Sequence, residues 1–119
     1  MMFKGSHPEA LTRELYGIGA ELACLVGWTY FDAQQFALAR SYFTEAIGLA
    51  RAIEDHLFMA NVLSCLSLQA TYEDKPADAA SFVQAALALT QRRHVPRVTA
   101  LLKTREAFAL ASLVRRHDV

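Results

Sequence analysis

Glycine and proline are scarce in this chain, at five and three of 119 residues. No stretch alternates polar and apolar residues for long enough to make a half-buried strand, so sheet architectures are set aside. Cysteine is rarer still: Cys24 and Cys65 stand 41 positions apart, without the close spacing of a metal site or of a disulfide framework. Reduced thiols in a cytoplasmic protein are the expectation. An excess of charge of either sign is also missing, because twelve Lys and Arg balance twelve Asp and Glu, and nucleic acid is not favoured by bulk charge. The longest uncharged apolar run, Leu22 to Phe31, falls well short of the roughly 20 residues that span a bilayer, which argues against a membrane protein. The start of the chain lacks the apolar core of a signal peptide, and residues 1–7, with their Gly-Ser-His, are read as a flexible N-terminus or a cloning remnant. The four histidines, His7, His56, His94 and His117, are dispersed without a carboxylate or thiol at ligand spacing. No catalytic residue, cofactor or metal is therefore expected, and the chain is read as a non-enzyme.

What the sequence does contain is helix-forming residues throughout, with 54% apolar and 20% charged residues, the profile of one small globular domain. Ser6 and Glu9 have capping-box spacing, and Pro8 suits a first helical turn. A first helix is expected to about Ala33, kinked near Gly17 and Gly19. A second follows over about 35–53. Asp55 is placed to cap a third, reaching about Glu73, while Pro76 and Pro96 open a fourth to about Arg93 and a fifth to about Arg116. Links this short make neighbouring helices antiparallel. The expected domain, 8–119, is thus one hairpin over 8–53, a second over 55–93 and a single helix over 96–116.

Shifting the sequence by 40 residues superimposes Ala20, Ala60 and Ala100, then Leu22, Val62 and Leu102, then Tyr42 on Phe82, Ala46 on Ala86 and Leu49 on Leu89. A two-helix period of this length means a stacked solenoid. In the first unit Gly27 and Ala39 let two backbones approach, Tyr30 and Phe43 fill the space on either side, and Ala46 leaves room for the next unit. Leu66, Ser67, Ala70, Ala79, Val83 and Ala86 repeat the pattern more loosely, and Ala107 and Leu110 keep part of it. This order of residues resembles the tetratricopeptide repeat, TPR, from about Leu15 onward. It also resembles the helical module that follows the helix-turn-helix domain of actinobacterial transcriptional regulators, so the chain would be a stand-alone relative or part of a longer regulator. The resemblance implies an all-α solenoid with a right-handed superhelix. Gln34 and Asp74 occupy turn positions where such repeats usually carry glycine, and the 40-residue period exceeds the usual one.

In that fold the first helix of each hairpin lines an inner groove, and equivalent positions form ladders. Trp28, Leu68 and Phe108 make one; Cys24, Ser64 and Thr104 a second; Glu21, Asn61 and Leu101 a third; Phe31 and Thr71 a fourth, with Asp32 and Tyr72 beside it. Only Asn61 fits the polar clamp that related modules use on a C-terminal carboxylate. An apolar groove suits a helix or extended peptide anchored on Trp28, or, in the alternative of a sensor module, a small molecule or signal peptide. The groove is otherwise covered by the chain itself or a second copy. The fifth helix lacks a hairpin partner, so it either caps the stack or self-associates through Leu102, Ala109 and Leu113. Seven Arg and Lys beyond residue 91, among them Lys103, Arg105, Arg115 and Arg116, are the one feature that would support direct nucleic-acid contact. The expected function is a protein-interaction or oligomerisation module, with transcriptional regulation as the context the resemblance adds.

Overall fold

The structure, a computed structural model, describes residues 8–91 and 96–118, with side-chain surroundings for 8–91 and 102–114. Among these residues the protein is all helical: α1 Pro8–Asp32, α2 Phe36–Ala52, α3 His56–Tyr72, α4 Pro76–Thr90 and α5 Pro96–Asp118. α1 runs unbroken through Gly17 and Gly19. The capping role of Ser6 lies outside the described residues, whereas Asp55 does cap α3, its Oδ1 accepting from the Phe58 amide at 3.1 Å.

The three described links share one conformation. Each is three residues long, and the middle residue is left-handed: Gln34 at φ 61°, Glu54 at φ 55° and Asp74 at φ 62°. The amides of Gln34, Glu54 and Asp74 donate to the carbonyls of Phe31, Arg51 and Thr71. Those of Gln35, Asp55 and Lys75 reach back to Tyr30, Ala50 and Ala70 at 2.8 to 2.9 Å. This is the Schellman pairing, which satisfies the orphan carbonyls of a helix end and normally uses glycine at the left-handed position. The next helix starts at once, so α2, α3 and α4 begin at residues 36, 56 and 76, and α5 begins at 96. The link between the expected hairpins is therefore the same turn as the links within them, and the 40-residue period contains a 20-residue beat.

Each helix packs on its sequence neighbour, and α3 also meets α5, in a slab of 62 × 33 × 18 Å. Alanine dominates the seams: Ala39, Ala46, Ala50, Ala60, Ala79, Ala86 and Ala109 are fully buried. Small residues let helix axes come close, and Phe43 and Val83, also fully buried, fill the volume between. Gly27 marks the tightest approach, since a Cβ there would stand 2.7 Å from Cδ1 and Cε1 of Phe43. Its counterpart Ser67 is buried with its hydroxyl donating to the Ala79 carbonyl at 2.9 Å. Tyr30 packs partly buried against the same core, its ring stacked on Tyr42 at 5.5 Å. The repeat-packing residues thus occupy the interior.

For α5 the structure disfavours one of the two expected roles, the exposed self-association stripe. Leu102 and Ala109 are buried, one with Ala60, Val83 and Ala86 and the other with Ala70, Ala79 and Ala80, and Leu113 packs partly buried beside the second group. The stripe assigned to self-association is the seam that holds α5 on α3 and α4. Its exposed side instead carries Ala107, Phe108, Leu110, Ala111 and Val114.

Candidate functional site: the α1–α3–α5 face and the open side of α1

The inner-face ladders separate into buried and exposed parts. Cys24 and Ser64 are buried; Trp28, Phe31, Leu68 and Thr71 are half-buried; Glu21, Asp32, Asn61, Tyr72, Thr104 and Phe108 are exposed. The side chain of Leu101 lies outside the described residues. Cys24 and Ser64 therefore belong to the interior and line no open groove. Glu73 and the Cys24–Cys65 pair carry the resolved shifts in acidity, while the aromatics supply area.

The ring contact between α1 and α3 joins residues 41 apart rather than 40. Phe31 meets Tyr72 edge to face with ring centroids 5.3 Å apart. Residues 40 apart occupy the same rotational position on two similar helices and point in parallel; a touching pair needs one partner turned toward the other, which the next residue provides. Trp28 is the hub, edge-on to Phe31 at 5.2 Å and to Phe43 at 5.6 Å. Tyr72 and Phe108, 66% and 55% exposed, form the accessible margin of this face.

Cys24 and Cys65 are both buried in the core cluster against which Trp28 and Phe31 pack. The interaction with Cys65 draws the Cys24 ionisation down, against burial, which pushes it up. The interaction with Cys24 and its own burial push the Cys65 thiol up, opposed by the Arg105 cation and Trp28. Arg105 Nε is buried without a hydrogen-bond partner, and among the described residues the guanidinium forms no ion pair.

On the other side of α3 a polar cluster ties the first two helices to the next two. Gln69, 1% exposed, donates from Nε2 to the Phe36 carbonyl at 2.8 Å and to Glu73 Oε2 at 2.9 Å. Arg40 reaches Glu73 Oε2 at 2.7 Å, and Lys75 lies 3.6 Å from Oε1. Burial pushes the Glu73 carboxyl up, but Gln69 and the two cations outweigh it and hold the group below its ordinary value. A cleft of about 210 Å³ opens over this cluster.

The open side of α1 carries a row of exposed large apolar residues. Leu11, Leu15, Ile18, Leu22 and Leu25 follow one another at steps of 4, 3, 4 and 3 and are 36 to 65% exposed. Tyr16 and Val26 stand beside them, 39% and 36% exposed. Glu14 and Glu21 flank the stripe. The spacing is that of a coiled-coil seam, and it is legible in the sequence as "LTRELYGIGAELACL". The ladder reasoning passed over it because it treated α1 only as an inner-face helix.

Among the described residues no cluster of His, Cys, Asp and Glu could hold a metal ion, and no helix is long and apolar enough to cross a membrane. No protein-family model, curated protein or solved structure matches this chain.

Proposed function

We propose that this chain is a non-catalytic, TPR-like helical-repeat module, stacked as a right-handed superhelix, that works by self-association, in the regulatory setting the resemblance implies. The observation that carries the reading is the five-residue apolar stripe on α1, about 20 Å long at 1.5 Å per residue. Soluble proteins rarely leave such a stripe open unless something docks on it. Heptad-like spacing calls for another helix, and the carboxylates of α1, four against a single arginine, call for a basic one. The sequence of α5 supplies that partner: five Arg and Lys against two acids, with Ala107, Leu110, Ala111 and Val114 exposed at helical spacing. The occupant of α1 is therefore α5 of a second copy, joined head to tail.

Light scattering coupled to size exclusion, over a dilution series at low and moderate salt, tests this. Wild-type protein is expected to grow in mass with concentration, less so with salt. Leu22→Lys and Val114→Glu each block one end, so each alone is a monomer and a mixture of the two stops at a one-to-one pair. Association that survives Val114→Glu but not Leu22→Lys would mean that α1 pairs with α1, and wild type that stays monomeric throughout would overturn self-association. The Phe31–Tyr72 contact supports a second reading, in which an apolar peptide docks on the inner face, since Tyr72 is 66% exposed.

A further inference from the structure

Because α2 to α5 begin 20 residues apart, the chain carries its own controls for each helix seam. Arg40, Gln69 and Glu73 meet where α2 packs on α3. Forty residues on, the same three positions hold Ala80, Ala109 and Leu113, which pack together between α4 and α5. Twenty residues back, they hold Ala20, Leu49 and Ile53. The fold thus closes equivalent seams with apolar side chains, and the α2–α3 seam departs from that rule in all three places. Polar groups are costly in such a seam, and departures of this kind collect at functional sites. Gln69 is the sharpest case, at 1% exposed. Its Nε2 is committed to the Phe36 carbonyl and to Glu73, while its Oε1 is buried without a hydrogen-bond partner. An acceptor enclosed in this way calls for a donor.

Gln69 lines the cleft of about 210 Å³, which has Leu66, Ala70 and Phe82 as its apolar wall. Two cations, Arg40 and Lys75, and two carboxylates, Glu73 and Asp78, make up the rest of the lining, so its charge is balanced. We propose that this cleft binds a small zwitterion, an α-amino acid with an apolar side chain. Its ammonium group donates to Gln69 Oε1 beside the two carboxylates, its carboxylate pairs with Arg40 and Lys75, and its side chain rests on Phe82. A ligand of one charge would meet a like-charged pair in so small a space, whereas a zwitterion is matched at both ends. The side chains of Arg40 and Lys75 are 42% and 50% exposed, so their ends swing aside as surface rotamers do and admit the ammonium to the covered oxygen. The bound ligand bridges α2, α3 and α4 and stabilises the folded chain by mass action. This site is separate from the contact between copies proposed above, which uses α1 and α5.

The test titrates the full chain with L-leucine, L-valine and L-phenylalanine, and follows the thermal midpoint and the Gln69 side-chain amide resonances. The expected result is a saturable shift of those resonances and a raised midpoint with at least one of the three. 4-Methylpentanoate, which lacks the ammonium, and 3-methylbutylamine, which lacks the carboxylate, should produce neither at the same concentration. Gln69→Leu restores the residue that the repeat carries at Leu49 and Leu89, so the variant should fold with an undiminished midpoint and lose the response to amino acid. Arg40→Ala should weaken that response severalfold. No response to any of the three amino acids at millimolar concentration would overturn the proposal, and a long-lived water contact at the Gln69 amide in that case would identify Oε1 as satisfied by a bound water only. A response that survives in Gln69→Leu, or one that either single-charge analogue reproduces, would overturn it as well.

Discussion

Alanine in place of Gly27 and of Gly48 is the same chemical change with opposite expected signs. Both glycines sit inside helices, where alanine is favoured by about 0.8–1.0 kcal/mol. At Gly48 the new methyl meets nothing within 4 Å, so the full gain should appear. At Gly27 it arrives 2.7 Å from two carbons of the Phe43 ring. That ring is fully buried and held edge-on by Trp28, which leaves it no direction of retreat, and overpacking of this kind costs about 1–3 kcal/mol. The propensity term cancels between the variants, so their difference reads the overlap alone: Gly48→Ala should be more stable than Gly27→Ala by about 1–3 kcal/mol. Urea unfolding followed by circular dichroism measures it, with unchanged slopes as the check that both variants unfold as wild type does. Gly27→Ala as stable as Gly48→Ala would refute the claim that α1 and α2 touch through this glycine.

Two further perturbations address the links and the polar cluster. Glu54→Gly should raise stability by about 0.5–1 kcal/mol, because a left-handed conformation costs a non-glycine residue about 1–2 kcal/mol and glycine's looser unfolded state takes part of that back; a lower thermal midpoint for this variant would contradict the left-handed turn. Glu73→Gln should cost about 1 kcal/mol or less at pH 7, since Arg40 and Lys75 are 42% and 50% exposed and screened. The Glu73 carboxyl is depressed in the folded protein, so its contribution is fully present above the unfolded value near 4.3 and is lost as pH falls through the folded value. Urea midpoints of the two proteins should therefore converge on acidification below about pH 4.3; a gap that widened there would reverse the assignment.

Much of the fold was legible because helix starts carry local chemistry. Asp55, Pro76 and Pro96 each stand where a helix begins, and the small residues Gly27, Ala39, Ala46, Ala79 and Ala86 marked the seams that the structure buries. The shared turn was not legible. Left-handed Gln34, Glu54 and Asp74 are held by the helices on either side rather than by any preference of their own, and a glutamate at such a position carries no sequence signal. With Glu54 unrecognised, the 20-residue beat was read only as its multiple of 40. The site was less legible for a related reason: a repeat shift finds residues that are equivalent, whereas contact requires residues that are complementary. Cys65 and Arg105 were therefore missed, although both adjoin positions on a predicted ladder.

Assigning the open face to α5 illustrates the same limit. The sequence left two roles for a helix without a hairpin partner, a cap or a self-associating stripe, and the burial of Leu102 and Ala109 against α3 and α4 fits the cap, since an unpaired helix can bury one side as fully as a paired one. What distinguishes the two ends of the stack is the number of neighbours each helix has. α2, α3 and α4 each lie between flanking helices, while α1 packs chiefly on α2 and carries apolar residues on both sides. Its inner side holds Ala20, Ala23, Cys24 and Gly27; its outer side holds leucine and isoleucine at seam spacing. That inner side is already filled, with Trp28, Tyr30 and Phe31 of the same helix packed partly buried against the core, so the large outer residues are surplus to the fold of one copy. They are the surface that the proposed contact with α5 of a second copy would cover.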